Sequence, residues 1–122
     1  MDLNKKCFIT KDILNNNKKI RFMYHEQPDN EFDSGWRFFS GDETQEFVDD
    51  SNNLIFISLY EVVQNIDNSI EKYLNYENNV AFERKNINEE FVISNYDFSP
   101  ENRWKNYNIY KVYKIFIGFF LL

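Results

Sequence analysis

Cysteine, histidine, glycine and proline are all scarce in this 122-residue chain, and each scarcity removes a class of chemistry. Cys7 is the only cysteine, which excludes an intrachain disulfide and a cysteine-ligated metal cluster. His25 is the only histidine, so any catalytic imidazole would have to be that one. Three glycines, none clustered, cannot build a phosphate-cradling loop. No apolar run approaches the roughly 20 residues of a membrane-spanning helix. The closing IFIGFFLL comes nearest, and Lys111 and Lys114 interrupt the run before it, so membrane attachment is not expected. The opening MDLNKKCFITKDIL lacks the apolar core of a secretory signal. With the lone thiol, this leads to the expectation of a reduced, cytoplasmic protein.

What remains is a folded composition: 43% apolar and 28% charged residues suit one soluble domain rather than a disordered chain. Charge is uneven. The net charge is -6, yet residues 26–50 alone carry nine acids against one base, Arg37. Such a stretch repels nucleic acid and suits a basic protein partner. A solvated face that only keeps the protein soluble is the plain alternative.

Local patterns predict α+β architecture in a single domain: about five short, mainly antiparallel strands, a short helical pair, and an extra C-terminal element. Residues 7–10 read as a strand and 11–15 as a short helix. Residues 19–25 alternate and predict a strand with Ile20, Phe22 and Tyr24 inward and His25 on a wet face. Gln27-Pro28-Asp29-Asn30 is a turn. A strand over 36–40 puts Trp36 and Phe38 on one face, opposite residues 22–25. Asp42 with Gln45 predicts a capped helix over 43–47, and Ser58 with Glu61 a second. Leu54 to Ile57 reads as a buried strand, Asp67 as the cap of a helix bearing Ile70, Tyr73 and Leu74, and 80–84 and 91–93 as short strands. Residues 1–95 form the expected domain. Residues 96–122 form an aromatic extension, with Ser99 and Pro100 starting a helix and Ile109, Val112, Tyr113, Phe116, Ile117 and Phe120 at helical spacing. It either packs on the domain or makes an oligomer contact such as a homodimer.

Catalytic constellations are weak. His25, Glu26 and Ser34 could be drawn as a triad, but no G-x-S-x-G elbow is present. Asp29, Glu31 and Asp33 alternate as calcium ligands do, but the sixth loop position is Ser34 instead of Gly and the twelfth is Ser40 instead of Glu. No metal and no cofactor are expected.

The run Phe22-Met23-Tyr24, Glu26, Pro28-Asp29-Asn30 and Asp33-Ser34-Gly35-Trp36-Arg37-Phe38-Phe39-Ser40-Gly41-Asp42-Glu43 resembles the core motif of the immunity protein 33 family of bacterial polymorphic toxin systems. Phe8-Ile9-Thr10-Lys11 and Ala81-Phe82-Glu83-Arg84 extend the resemblance, which covers residues 7–93. Asn79-Val80 departs from the small residue or Gly usual there, and the tail beyond about Ser94 has no counterpart. The resemblance implies a non-enzymatic protein that binds and neutralises a cognate toxin, and it carries over no catalytic residues. The residues expected to meet that partner are Asp29, Glu31, Asp33, Asp42, Glu43, Glu46, Asp49 and Asp50 around Trp36. A small hydrolase or toxin-modifying enzyme using His25 and nearby carboxylates is the rival, and a structural or regulatory module is a third reading.

Overall fold

The computed structural model describes residues 1–98. The helix start at Ser99 and Pro100 and the apolar spacing from Ile109 to Phe120 lie outside the described residues. Six strands form one sheet: β1 (Lys6–Thr10), β2 (Phe22–His25), β3 (Asp33–Phe39), β4 (Leu54–Ser58), β5 (Val80–Glu83) and β6 (Val92–Ile93), in the order β4-β1-β3-β2-β5-β6. β1 and β3 run parallel and every other pairing is antiparallel. The α+β single-sheet expectation holds, as does the pairing of β2 with β3, in which Phe22 opposes Phe39 and His25 opposes Trp36.

Helical segments are short and capped. α1 (Lys11–Asn16) ends at Asn17, which takes the left-handed conformation that Asn tolerates. α2 (Gln45–Asp49) is capped by the Thr44 hydroxyl, which accepts from the Phe47 amide. The expected start at Asp42 is therefore displaced by two residues, because Asp42 is engaged by Lys18 and Arg21 instead. α3 (Leu59–Glu61) has the predicted Ser58 cap and widens into a π-helical turn over Val62–Ile66, closed by the Asp67 amide on the Val62 carbonyl at 2.8 Å. Asp67 then caps the 3-10 segment Asn68–Tyr73.

The sheet divides the interior. On one face Cys7, Ile9, Met23, Trp36, Phe38 and Phe82 form the main core with Ile13 of α1 and with Leu59, Val62, Val63, Ile70, Tyr73 and Leu74. The Trp36 indole N–H donates to the Leu74 carbonyl at 3.3 Å, which ties this helical layer to the central strand. Phe22, Tyr24 and Phe39, also buried, face the other way. The wet face expected for β2 is thus absent: Met23 and His25 point into the core and Phe22 and Tyr24 are covered too. Strand alternation marks which residues share a face, but it cannot tell how many faces will be covered. β4 is half-buried because it lies at the sheet edge.

One irregularity shapes β3. Between the pairs Lys6↔Asp33 and Phe8↔Arg37, β3 advances four residues while β1 advances two. This bulge contains Gly35 at φ +89°, where an added Cβ would lie 2.2 Å from the Glu26 carbonyl oxygen. Gly41 has φ +95°, but its added Cβ would meet side-chain atoms of Arg21, 2.9 Å or more away, rather than backbone. Gly35→Ala is expected to destabilise the fold by about 2–3 kcal/mol or more, and Gly41→Ala by about 1 kcal/mol. Urea melts of both variants check the order; equal losses would show that the bulge is not rigid.

Candidate functional site

The one base in the acidic segment is buried. Arg37 is 1% exposed, and its guanidinium stands 5.0 Å over the Phe8 ring. A buried cation must be compensated at close range. Arg37 Nε donates to Glu26 Oε2 at 2.6 Å, and Nη1 and Nη2 donate to the two oxygens of Asp33 at 2.9 Å each. Asp29 stands further out, 3.7 Å from Nη2. Residues four apart on a regular strand are separated by about 13 Å. The bulge at Ser34 and Gly35 shortens that separation enough for Asp33 and Arg37 to form a fork.

Asp33 has no spare capacity. Besides Arg37, its oxygens accept from the Gly35 amide and the Asp29 amide, both at 2.9 Å. Burial alone would raise this carboxyl, but the Arg37 hydrogen bonds and charge and the two backbone donors outweigh it and hold the group below its ordinary value. The same bonds pin the start and end of the loop 26–32. Asn30 closes its tip through the Phe32 amide, and Lys5 Nζ donates to the Glu31 carbonyl. The loop therefore presents Asp29, Glu31 and a 63% exposed Phe32 from a rigid base.

His25 and Trp36 lie beneath this end of the sheet. Their rings stack at 4.6 Å, and Trp36 is fully buried. The His25 ring nitrogens lie 2.9 Å from the carbonyl oxygens of Tyr76 and Ser34. Both ring nitrogens thus face backbone carbonyl oxygens, and Ser34 approaches the ring through its carbonyl. The hydroxyl of Ser34 accepts from the Trp36 amide. The triad drawn from the sequence is not assembled. Burial pushes the Cys7 thiol far above its usual range, so that group is a poor nucleophile.

The second acidic loop is at the opposite end of β3, about 20 Å away along the strand. There Glu43 is buried: it accepts from the Thr10 hydroxyl at 2.6 Å and from the amides of Ser40 and Gly41. Burial raises its carboxyl, and these donors oppose the rise. Asp42 is exposed and paired with Lys18 and Arg21, and Glu46, Asp49 and Asp50 are exposed around α2. Of the nine residues expected at a partner surface, the fold thus places Asp33, Trp36 and Glu43 inside, Asp29 and Glu31 at one end, and Asp42, Glu46, Asp49 and Asp50 at the other. They do not surround a common Trp. Among the described residues, no group of His, Cys, Asp and Glu is placed to hold a metal ion, and no helix is long and apolar enough to cross a membrane.

Three aromatics escaped the sequence reading. Phe32, Tyr60 and Tyr76 are the exposed aromatic side chains among the described residues, at 63, 54 and 49%. All three lie at the end of the sheet that carries Asp29 and Glu31. Phe32 precedes β3 directly, the Tyr60 amide bonds the Leu3 carbonyl just before β1, and the Tyr76 carbonyl caps His25 at the end of β2. Nothing in local sequence separates these rings from the many buried ones.

Comparison with protein families finds a match to the model described as the Immunity protein Imm33 domain, over residues 7–95. No curated protein and no solved structure matches the chain.

The sign of the Asp33 shift fixes a pH dependence. A lowered carboxyl contributes stability that is complete above its ordinary value of 3.8 and is lost as pH falls through the folded-state value. Asp33→Asn is expected to cost about 3–5 kcal/mol at neutral pH, since Arg37 stays buried with less compensation. It should also flatten the decline in stability below about pH 4. Denaturant midpoints measured from pH 7 to pH 2 check both; an unchanged acid limb would remove Asp33 as its source.

Proposed function

This chain belongs to the Imm33 family of immunity proteins, and from that premise we propose that it neutralises its toxin by binding it at the sheet end that presents Asp29, Glu31 and Phe32. A role of the immunity type, directed against a toxin, follows from the family. The site and the manner of action are our reading.

The observation that supports it most is the coincidence, at one end of the sheet, of the exposed aromatics Phe32, Tyr60 and Tyr76 with Asp29, Glu31, Glu61 and Glu77. Exposed Phe and Tyr are the side chains that anchor protein interfaces, and a carboxylate rim favours a basic partner and speeds its approach. The Arg37 clamp holds the 26–32 loop in place before the partner arrives, so little conformational entropy is lost on docking. Trp36 acts from below: stacked on His25, it fixes the strand ends from which the surface projects. The acidic surface expected around Trp36 becomes an acidic surface around Phe32. His25 is 7% exposed and both its ring nitrogens face backbone carbonyl oxygens, which supports occlusion over catalysis. A cytoplasmic location is part of this reading.

The experiment uses the product of the adjacent gene as the toxin. Protection should saturate at one equivalent of this protein, as occlusion requires. The pair Glu31→Lys and Glu77→Lys, both exposed at this end, should weaken binding at least tenfold and flatten the salt dependence of association, and Phe32→Ala should cost about 1–2 kcal/mol. Glu46→Lys with Asp49→Lys, at the far end, should change affinity less than twofold. Surface plasmon resonance reads all three. Loss confined to the far-end pair would transfer the contact to α2 and overturn the assignment.

A further inference from the structure

Among the described residues, β4 closes the sheet on one side with an edge that nothing guards. Natural sheets protect an edge with lysine, proline, a bulge or a very short strand. The opposite edge, β6, is two residues long. β4 is five residues long, Leu54-Ile55-Phe56-Ile57-Ser58, uncharged and in unbroken register with β1. The ladder fixes where its backbone groups point. The Leu59 amide bonds the Lys5 carbonyl at 2.9 Å, and bonded and unbonded pairs alternate along an antiparallel ladder. Ile57 and Ile55 therefore bond Cys7 and Ile9, while Leu54, Phe56 and Ser58 turn their N–H and C=O groups outward. Some of these groups are used locally. The Leu54 amide bonds the Ser51 carbonyl, and Ser58, as the N-cap of α3, gives its carbonyl to the first turn of that helix. The open set is the Leu54 carbonyl, both backbone groups of Phe56 and the Ser58 amide.

We propose that a second copy of this chain docks on β4, strand against strand and antiparallel, about a two-fold axis at Phe56. The open set is complementary to itself. With Phe56 opposite the copy's Phe56, their amides and carbonyls exchange hydrogen bonds, and each Ser58 amide meets the Leu54 carbonyl of the other chain. The occupied Leu54 amide faces the occupied Ser58 carbonyl, so every open donor finds an open acceptor and none is stranded. A parallel or shifted pairing loses this match. The side chains agree with it. Opposed residues project to the same face of a sheet, so Phe56 meets its copy beside Phe8, 4.8 Å away, and beside the Lys6 ammonium, 5.7 Å from the Phe56 ring. On the other face Ile55 and Ile57, half-buried against the main core, meet the copy's Ile57 and Ile55. Antiparallel order also sends the exposed Asp49 and Asp50, which precede β4, to opposite ends of the contact. The contact is about 17 Å long and well below the roughly 1,600 Å² of a standard interface, so the dimer is weak and reversible. Each chain carries a net charge of -6, so salt strengthens the dimer. A basic toxin held at the Phe32 end responds to salt the opposite way. The dimer is independent of the reading of that end.

The wild-type full chain supplies the test. Sedimentation equilibrium from about 5 µM to about 1 mM should give a monomer–dimer equilibrium with a dissociation constant on the order of 100 µM. It should tighten about threefold between about 50 and about 500 mM NaCl. Over the same concentrations, hydrogen exchange read by NMR should slow about fourfold at the Phe56 and Ser58 amides as the dimer fills, while the Ile55 and Ile57 amides, bonded to β1, stay protected throughout. Opposed bonded residues lie about 5.5 Å apart at Cα, within disulfide reach, so Phe56→Cys should oxidise to a linked dimer. Asn52→Cys, exposed just outside the strand, should not. A monomer at every concentration overturns the proposal. So does a dimer whose Phe56 and Ser58 amides exchange at the monomer rate, which places the contact elsewhere. Protection of these amides only when the toxin is added gives the edge to that partner and overturns it equally.

Discussion

The structure depends on keeping one guanidinium, that of Arg37, charged and dry. Two carboxylates bind it directly and a third stands beyond them. Removing any partner from such a cluster leaves an uncompensated charge in a low-dielectric site, which is far more costly than the intact cluster is stabilising. The constraint propagates through the backbone. Asp33 can reach Arg37 only across the bulge, the bulge needs Gly35 at positive φ, and Gly35 leaves room for the Glu26 carbonyl beside it. The loop between these anchors inherits its shape from them.

This explains the density of acids in the 26–34 segment. Glu26 and Asp33 are internal counter-ions, while Asp29 and Glu31 project. The same division recurs at the other end of β3, where Glu43 is held by backbone amides and Asp42 faces solvent. A segment that looks uniformly acidic thus contains two populations. One is buried within the fold, and the other is exposed, although Asp29 still stands near Arg37 and Asp42 is paired with Lys18 and Arg21. In the proposed reading the exposed acids beside Phe32, Tyr60 and Tyr76 are the ones that meet the toxin.

Local signals were legible wherever the physics is local. The Ser58 and Asp67 caps satisfy amides two or three residues away, so their motifs could be read directly. The antiparallel pairing of β2 with β3 followed from two matched apolar runs around a turn. The Thr44 cap was missed because a distant contact decided it: Lys18 and Arg21 hold Asp42 and leave Thr44 to start the helix. The position of His25 was missed for a related reason. Its side of β2 looked wet because Lys19 and Arg21 share its parity, but those residues precede the strand.

The sequence by itself determined the family, the α+β class and the concentration of acid, because these rest on composition and on contacts a few residues apart. Only the tertiary structure decided which acids remain outside. The assignment of an acid to Arg37, to a backbone nest or to solvent depends on which strand ends meet, and strand order is a property of long-range pairing. It likewise carried the two acidic loops to opposite ends of β3, since a strand of seven residues separates whatever precedes it from whatever follows it. Trp36 was drawn inside by the same geometry: alternation places it opposite Arg37, on the face that the helical layer covers.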